Sequence, residues 1–171
     1  MIKVYLARAM SNRVKEDVVK EARADKAFLE KAGFTVLCPV EKEEVPATKQ
    51  VLISSRKAME SYWPQDKKMI EESDILFDMS PSMKSEGVAH ELGYARYFLY
   101  RPVVRIYKTG QLPLPSSVGW FEDDRIVDSM EEAIEYALRV HGTRWKRLKW
   151  RFNLYNRCLP KMIRTWFRSW K

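Results

Sequence analysis

The sequence predicts an α/β fold: a five-stranded parallel sheet of the flavodoxin or Rossmann-like kind, sandwiched by helices, with a basic amphipathic helical extension at the C-terminus. Three observations carry that expectation. Short apolar runs rich in Val, Ile, Leu and aromatic residues recur along residues 1–142, as in strands buried on both faces of a parallel sheet. Between them lie longer stretches with apolar residues at three- and four-residue steps, the spacing of helices packed by one face. The charge is also divided: residues 143–171 hold ten of the 31 Lys and Arg residues and none of the 23 acids, leaving 21 basic against 23 acidic residues before them. A near-neutral body (1–142) therefore precedes a strongly basic tail (143–171).

The elements follow in order. Ile2 to Leu6 reads as a buried strand, and Asn12 to Lys31 as a helix with Val14, Val18, Ala22, Phe28 and Leu29 turned inward. Gly33 ends it, and Thr35 to Cys38, followed by Pro39, is a second strand. Glu41 to Ser61 is a long connection with a helical piece around Val51 to Met59; Pro64 then opens another helix, which stops near Ser73. Ile75 to Phe77 is a third strand and Ser80 to Glu86 a polar loop at its carboxyl end. A helix from Gly87 to Tyr100 buries Leu92, Ala95, Phe98 and Leu99, and Pro102 to Ile106 is a fourth strand. After a Gly- and Pro-bearing loop at 109–119, Ile126-Val127 forms a fifth strand, and Ser129 and Glu132 have capping-box spacing before a helix ending near His141.

Several function classes lose support. Neither the G-x-G-x-x-G dinucleotide fingerprint nor the G-x-x-x-x-G-K-[ST] phosphate loop occurs. His90 and His141 complete no triad with a positioned serine, and Cys38 has no basic partner nearby in sequence. Cys38 and Cys158 suggest neither a disulfide framework nor a zinc site, so no metal and no cofactor is expected, and a reducing, cytoplasmic setting fits best. No apolar run reaches the roughly 18–20 residues of a spanning helix.

What remains is a pair of acids, Asp66 and Glu91, with Glu91 inside Gly87-Val88-Ala89-His90-Glu91-Leu92-Gly93-Tyr94-Ala95. Either could be a solvated or dipole-stabilising helical acid. Two carboxylates also suit cleavage of a glycosidic bond: one attacks or stabilises the anomeric carbon, and the other stays protonated to assist the leaving group.

Val4-Tyr5-Leu6-Ala7, then Asp66 and Asp74-Ile75-Leu76, then the segment around Glu91, together resemble the nucleoside 2-deoxyribosyltransferase superfamily over about residues 2–108. The resemblance implies a flavodoxin-like sheet, Glu91 as a nucleophile forming a covalent sugar intermediate, Tyr5 orienting it, and Asp66 protonating the departing base. Asp74 is expected to tie the turn before its strand. Six residues before the nucleophile stands Ser85, where the superfamily's transferases on bare nucleosides place an aspartate and its nucleoside 5'-monophosphate N-hydrolases a serine. A hydroxyl and helix-start N–H groups accept a phosphate that a carboxylate would repel. The closest pattern is therefore a hydrolase of (deoxy)nucleoside 5'-monophosphates. The alternatives are a base-exchanging deoxyribosyltransferase and a binding module without turnover. Ser85, Gly87, Ser80, Ser82 and Asp78 form the expected substrate-binding set around this helix start, with Arg8 and Ser11 closing the phosphate site from the first strand. Two positions depart from the hydrolase pattern: Arg8-Ala9 stands where those enzymes carry glycine and serine, and Glu86 adds a negative charge beside Ser85.

The resemblance implies a homodimer or larger assembly, and it does not reach the tail. There Trp145, Leu148, Phe152, Tyr155, Leu159, Met162 and Trp166 form an apolar stripe, interrupted at Pro160, among Lys and Arg residues. Three partners suit such a segment: the body or a second subunit, a membrane surface, and nucleic acid. A membrane-associated location through the tail is thus one expectation.

Overall fold

The structure is a computed structural model that describes residues 1–10, 13–41, 55–81, 85–107 and 125–141. The tail, Ser11, Ser82, the loop at 109–119 and residues 51–54 of the helical piece expected at 51–59 lie outside the described residues, while residues 55–59 of that piece are helical. The described elements are, in chain order, β1 (Lys3–Ala7), α1 (Lys15–Lys31), β2 (Thr35–Leu37), a short 3-10 turn (Pro39–Glu41), α2 (Ser55–Glu72), β3 (Ile75–Asp78), α3 (Glu86–Tyr97), β4 (Val103–Ile106), β5 (Arg125–Val127) and α4 (Met130–His141).

All strand pairings are parallel, in the order β2-β1-β3-β4-β5. This is the flavodoxin-like winding, whose direction reverses between β1 and β3, and ligands of such sheets lie outside the carboxyl ends of the strands at that reversal. The side-chain alternation of the strands divides the apolar residues into two cores. Val4 and Leu6 of β1, Ile75 and Phe77 of β3, and Val104 and Ile106 of β4 meet Val18, Ala22 and Leu29 of α1 and Ala133 and Ala137 of α4. On the other face Tyr5, Ala7, Leu76 and Val103 meet Met69 and Ile70 of α2 and Val88, Leu92 and Ala95 of α3.

Several details differ from expectation. Val14 precedes α1 as its N-cap and is 61% exposed, and Phe28 is 43% exposed, because the inward stripe of α1 runs through Val18, Ala22 and Leu29. Phe98 lies just past α3 and is 72% exposed; it stacks on Tyr94 at 5.6 Å instead of entering the core. Near α4, Ser129 Oγ accepts the Glu132 N–H at 3.2 Å, while the Glu132 carboxylate reaches the N–H of Asp128 at 3.3 Å. The box is thus displaced by one residue on its return bond. Gly33, at φ +89°, supplies the left-handed turn from α1 into β2 that a side chain would resist.

The largest difference is in α2. Pro64 does not open a helix but sits inside one, exposed, with helical residues on both sides. A proline there removes one N–H from the ladder and crowds the carbonyl four residues back, while it also restricts the unfolded chain. Pro64→Ala is therefore expected to stabilise the fold by about 1–2 kcal/mol, measurable as a higher urea midpoint with unchanged m-value.

Candidate active site

The catalytic candidates gather on the second face of the sheet. Tyr5 is fully buried in the core that α2 and α3 share, and its side chain leaves β1 on the side of Leu76 and Val103. Asp66 lies three and four residues before Met69 and Ile70, so one face of α2 presents all three toward that core. On α3, Glu91 falls between Val88 and Ala95 at helical spacing, half-buried, with Oε2 shielded from solvent. One strand and two adjacent helices thus bring Tyr5, Asp66 and Glu91 to the same side of the sheet.

Asp66 has the electrostatics of a proton donor. Burial disfavours its charged form and pushes its pKa from 3.8 up to about 6. A carboxyl group in that range holds its proton in mildly acidic solution, where an ordinary Asp would have lost it.

Two aromatic side chains absent from the sequence-based site lock the helices that carry these acids. Trp63, one turn before Asp66, meets Tyr94, one turn after Glu91, edge to face at 5.5 Å. The Tyr94 hydroxyl donates to Glu71 Oε1 at 2.6 Å, a bond that pushes the phenol pKa up to about 12, and the Lys67 ammonium lies 5.4 Å from the Tyr94 ring centre. The spacing of Trp63 and Tyr94 from the two acids is the sequence signal that could have flagged them.

The α3 start is built by Ser85. It is the N-cap, in extended conformation, and its Oγ accepts the Val88 N–H at 3.4 Å. Gly87 leaves ordinary room, since an added Cβ would stand 3.9 Å from Ser85 Oγ. Glu86 points to solvent, as a phosphate site beside Ser85 would require.

The remaining substrate-binding candidates are engaged within the protein. Arg8 is buried and its guanidinium bonds to Glu21 at 2.7 Å and to Asp25 on α1, so it is held toward that helix rather than presented as an unneutralised cation. Ser80 is buried and accepts the Ala9 N–H at 3.2 Å. Asp78 pairs with Arg105 at 3.0 Å, both side chains 2% exposed. Asp74, as expected of a structural acid, accepts the Lys3 N–H at 3.0 Å and ties the starts of β3 and β1.

Solved structures of other proteins share this fold. A 2-deoxyribosyltransferase from the psychrotolerant bacterium Bacillus psychrosaccharolyticus superposes with a TM-score of 0.56 at 24% identity, over 78% of this chain and 91% of that one. A conserved protein from Enterococcus faecalis V583 does so with a TM-score of 0.57 at 19% identity, over 81% of this chain and 98% of the other. No protein-family model and no curated protein matches the chain.

Proposed function

We propose that the chain is an N-glycosidase of the nucleoside 2-deoxyribosyltransferase superfamily that hydrolyses a (deoxy)nucleoside 5'-monophosphate to free base and sugar 5-phosphate. The observation that carries this reading is the gathering of Tyr5, a proton-holding Asp66 and Glu91 on one face of the sheet. The Glu91 carboxylate attacks C1' while the C1'–N bond breaks, its electron pair passing to the base and the Asp66 proton following it. Water then attacks C1' of the glutamyl ester, gives a proton to the Asp66 carboxylate and releases Glu91. Tyr5, held rigidly in the core, orients the nucleophile.

The uncharged N-cap supports a phosphorylated substrate. Ser85 and the first N–H groups of α3 form an anion-accepting helix start, and Glu86 beside it is exposed to solvent. Ser85→Asp tests the assignment cleanly, because aspartate caps helices as well as serine does. Thermal stability should stay near wild type, whereas kcat/KM for the monophosphate falls roughly 10- to 100-fold and that for the bare nucleoside does not.

A second reading is base exchange, favoured by the fold shared with a 2-deoxyribosyltransferase. There a second base, in place of water, intercepts the glutamyl ester. Incubation with a panel of nucleosides and 5'-monophosphates, with and without a competing free base, separates the two. Base plus sugar phosphate selects hydrolysis, an exchanged nucleoside selects transfer, and no product from any nucleotide refutes both.

A further inference from the structure

A buried ion pair lies at the carboxyl edge of the sheet, on the same face as the candidate catalytic residues. Asp78 follows Leu76 by two residues on β3, and Arg105 follows Val103 by two on β4, so both side chains leave the sheet toward α2 and α3. They are register partners, bonded at 3.0 Å. Such a pair is a poor device for stability alone, since desolvation offsets most of the Coulomb attraction and apolar residues of similar volume often do as well. Its bonding suggests another use.

Besides facing Arg105 with Oδ2, Asp78 accepts the Ser80 N–H on Oδ1 at 3.0 Å. Ser80 Oγ in turn accepts the Ala9 N–H at 3.2 Å, and the Met79 N–H bonds to Ala7 O at 2.9 Å. The Tyr107 hydroxyl donates to Pro81 O at 3.3 Å. The chain leaving β3 is therefore fastened to the ends of both β1 and β4, and it leads a few residues later to Ser85, the cap of the helix that bears Glu91.

We propose that Arg105 and Asp78 are positioning residues for Glu91: Arg105 fixes the Asp78 carboxylate, and Asp78 clamps the Ser80 N–H at the carboxyl end of β3, a few residues before the cap of the helix that bears Glu91. The catalytic part of this proposal rests on the glycosidase reading; the clamp itself does not.

Two double variants of the full chain isolate the clamp, Asp78→Asn/Arg105→Met and Asp78→Leu/Arg105→Met. Each removes both charges of the pair together, so neither member is left facing a vacant partner. Asparagine keeps an oxygen acceptor for the Ser80 N–H and leucine has none. Compared at matched unfolding free energy, amide exchange over residues 79–90 should be about tenfold faster or more in the Leu variant and within about threefold of wild type in the Asn variant. On a turned-over nucleotide, kcat of the Leu variant should fall roughly 10- to 100-fold below that of the Asn variant with KM little different between the two. Equal exchange in the two variants, or wild-type kcat in the Leu variant, overturns the proposal. If the wild type turns over no nucleotide, the glycosidase reading fails by itself and the exchange comparison still decides the clamp. Should the Leu variant not fold, Asp78→Ala/Arg105→Met replaces it and is read in the same way.

Discussion

Glu91→Ala is expected to abolish turnover, lowering kcat by on the order of 10⁴-fold or more, while nucleotide binding persists. Glu91 is half-buried, and the α3 residues that build the core are its neighbours Val88, Leu92 and Ala95, so the truncation leaves those contacts in place. Single-turnover chromatography and calorimetric titration with a 5'-monophosphate check the two halves of the prediction. Mass spectrometry adds a sharper test: a substrate analogue with a slow second step should leave a sugar adduct on wild type and none on the variant. Retained turnover in Glu91→Ala would remove the covalent mechanism.

Asp66→Asn is expected to make the protein slower and more stable at once. The isosteric amide cannot donate the proton, which should lower kcat by roughly 10²- to 10⁴-fold for substrates whose base leaves poorly. In wild type the assisting form is the protonated one, so kcat should decline as pH rises through about 6. That limb should vanish in the variant. Stability moves in the same window. Between the unfolded value near 3.8 and the folded value of about 6, the folded protein holds a proton that the unfolded chain has released. Its stabilising effect is complete below this window and is lost as pH rises through it. Asparagine stays neutral throughout, so the variant should exceed wild type by about 1–3 kcal/mol at pH 7 and match it near pH 3. Urea titrations at three pH values read this directly; parallel pH curves for the two proteins would refute it.

The three central strands were legible because they are buried on both faces. Val4 to Ala7 and Ile75 to Phe77 are uninterrupted apolar runs, and Val103 to Ile106 is broken only by Arg105. Pro64 was less informative, since its preference for a first turn is a local tendency and α2 passes through it with tertiary support from Met69 and Ile70 on the Tyr5 side. Phe28 and Phe98 mislead for another reason. Apolar character does not say whether a large ring enters a core or lies against a neighbour, and Phe98 takes the second course on Tyr94.

Within the candidate site, the two acids and Tyr5 were picked out from motif and order, and the fold brings these three candidates to one face. Partners were not readable. That Arg8 turns to Glu21 and Asp25, and that Asp78 meets Arg105, are consequences of strand register and helix docking between positions far apart in sequence. The raised pKa of Asp66 likewise comes from burial, which no local pattern around residue 66 reveals.

The cap at Ser85 bears on how such a protein can change over time. Serine and aspartate serve equally well as the first residue before a helix, yet one is neutral and the other negative. If Ser85 faces the substrate phosphate as proposed, a single replacement there would exchange one substrate charge for another without a detour through unstable intermediates. Specificity at this position would then be uncoupled from foldability, and a lineage could cross between phosphorylated and bare substrates in one viable step.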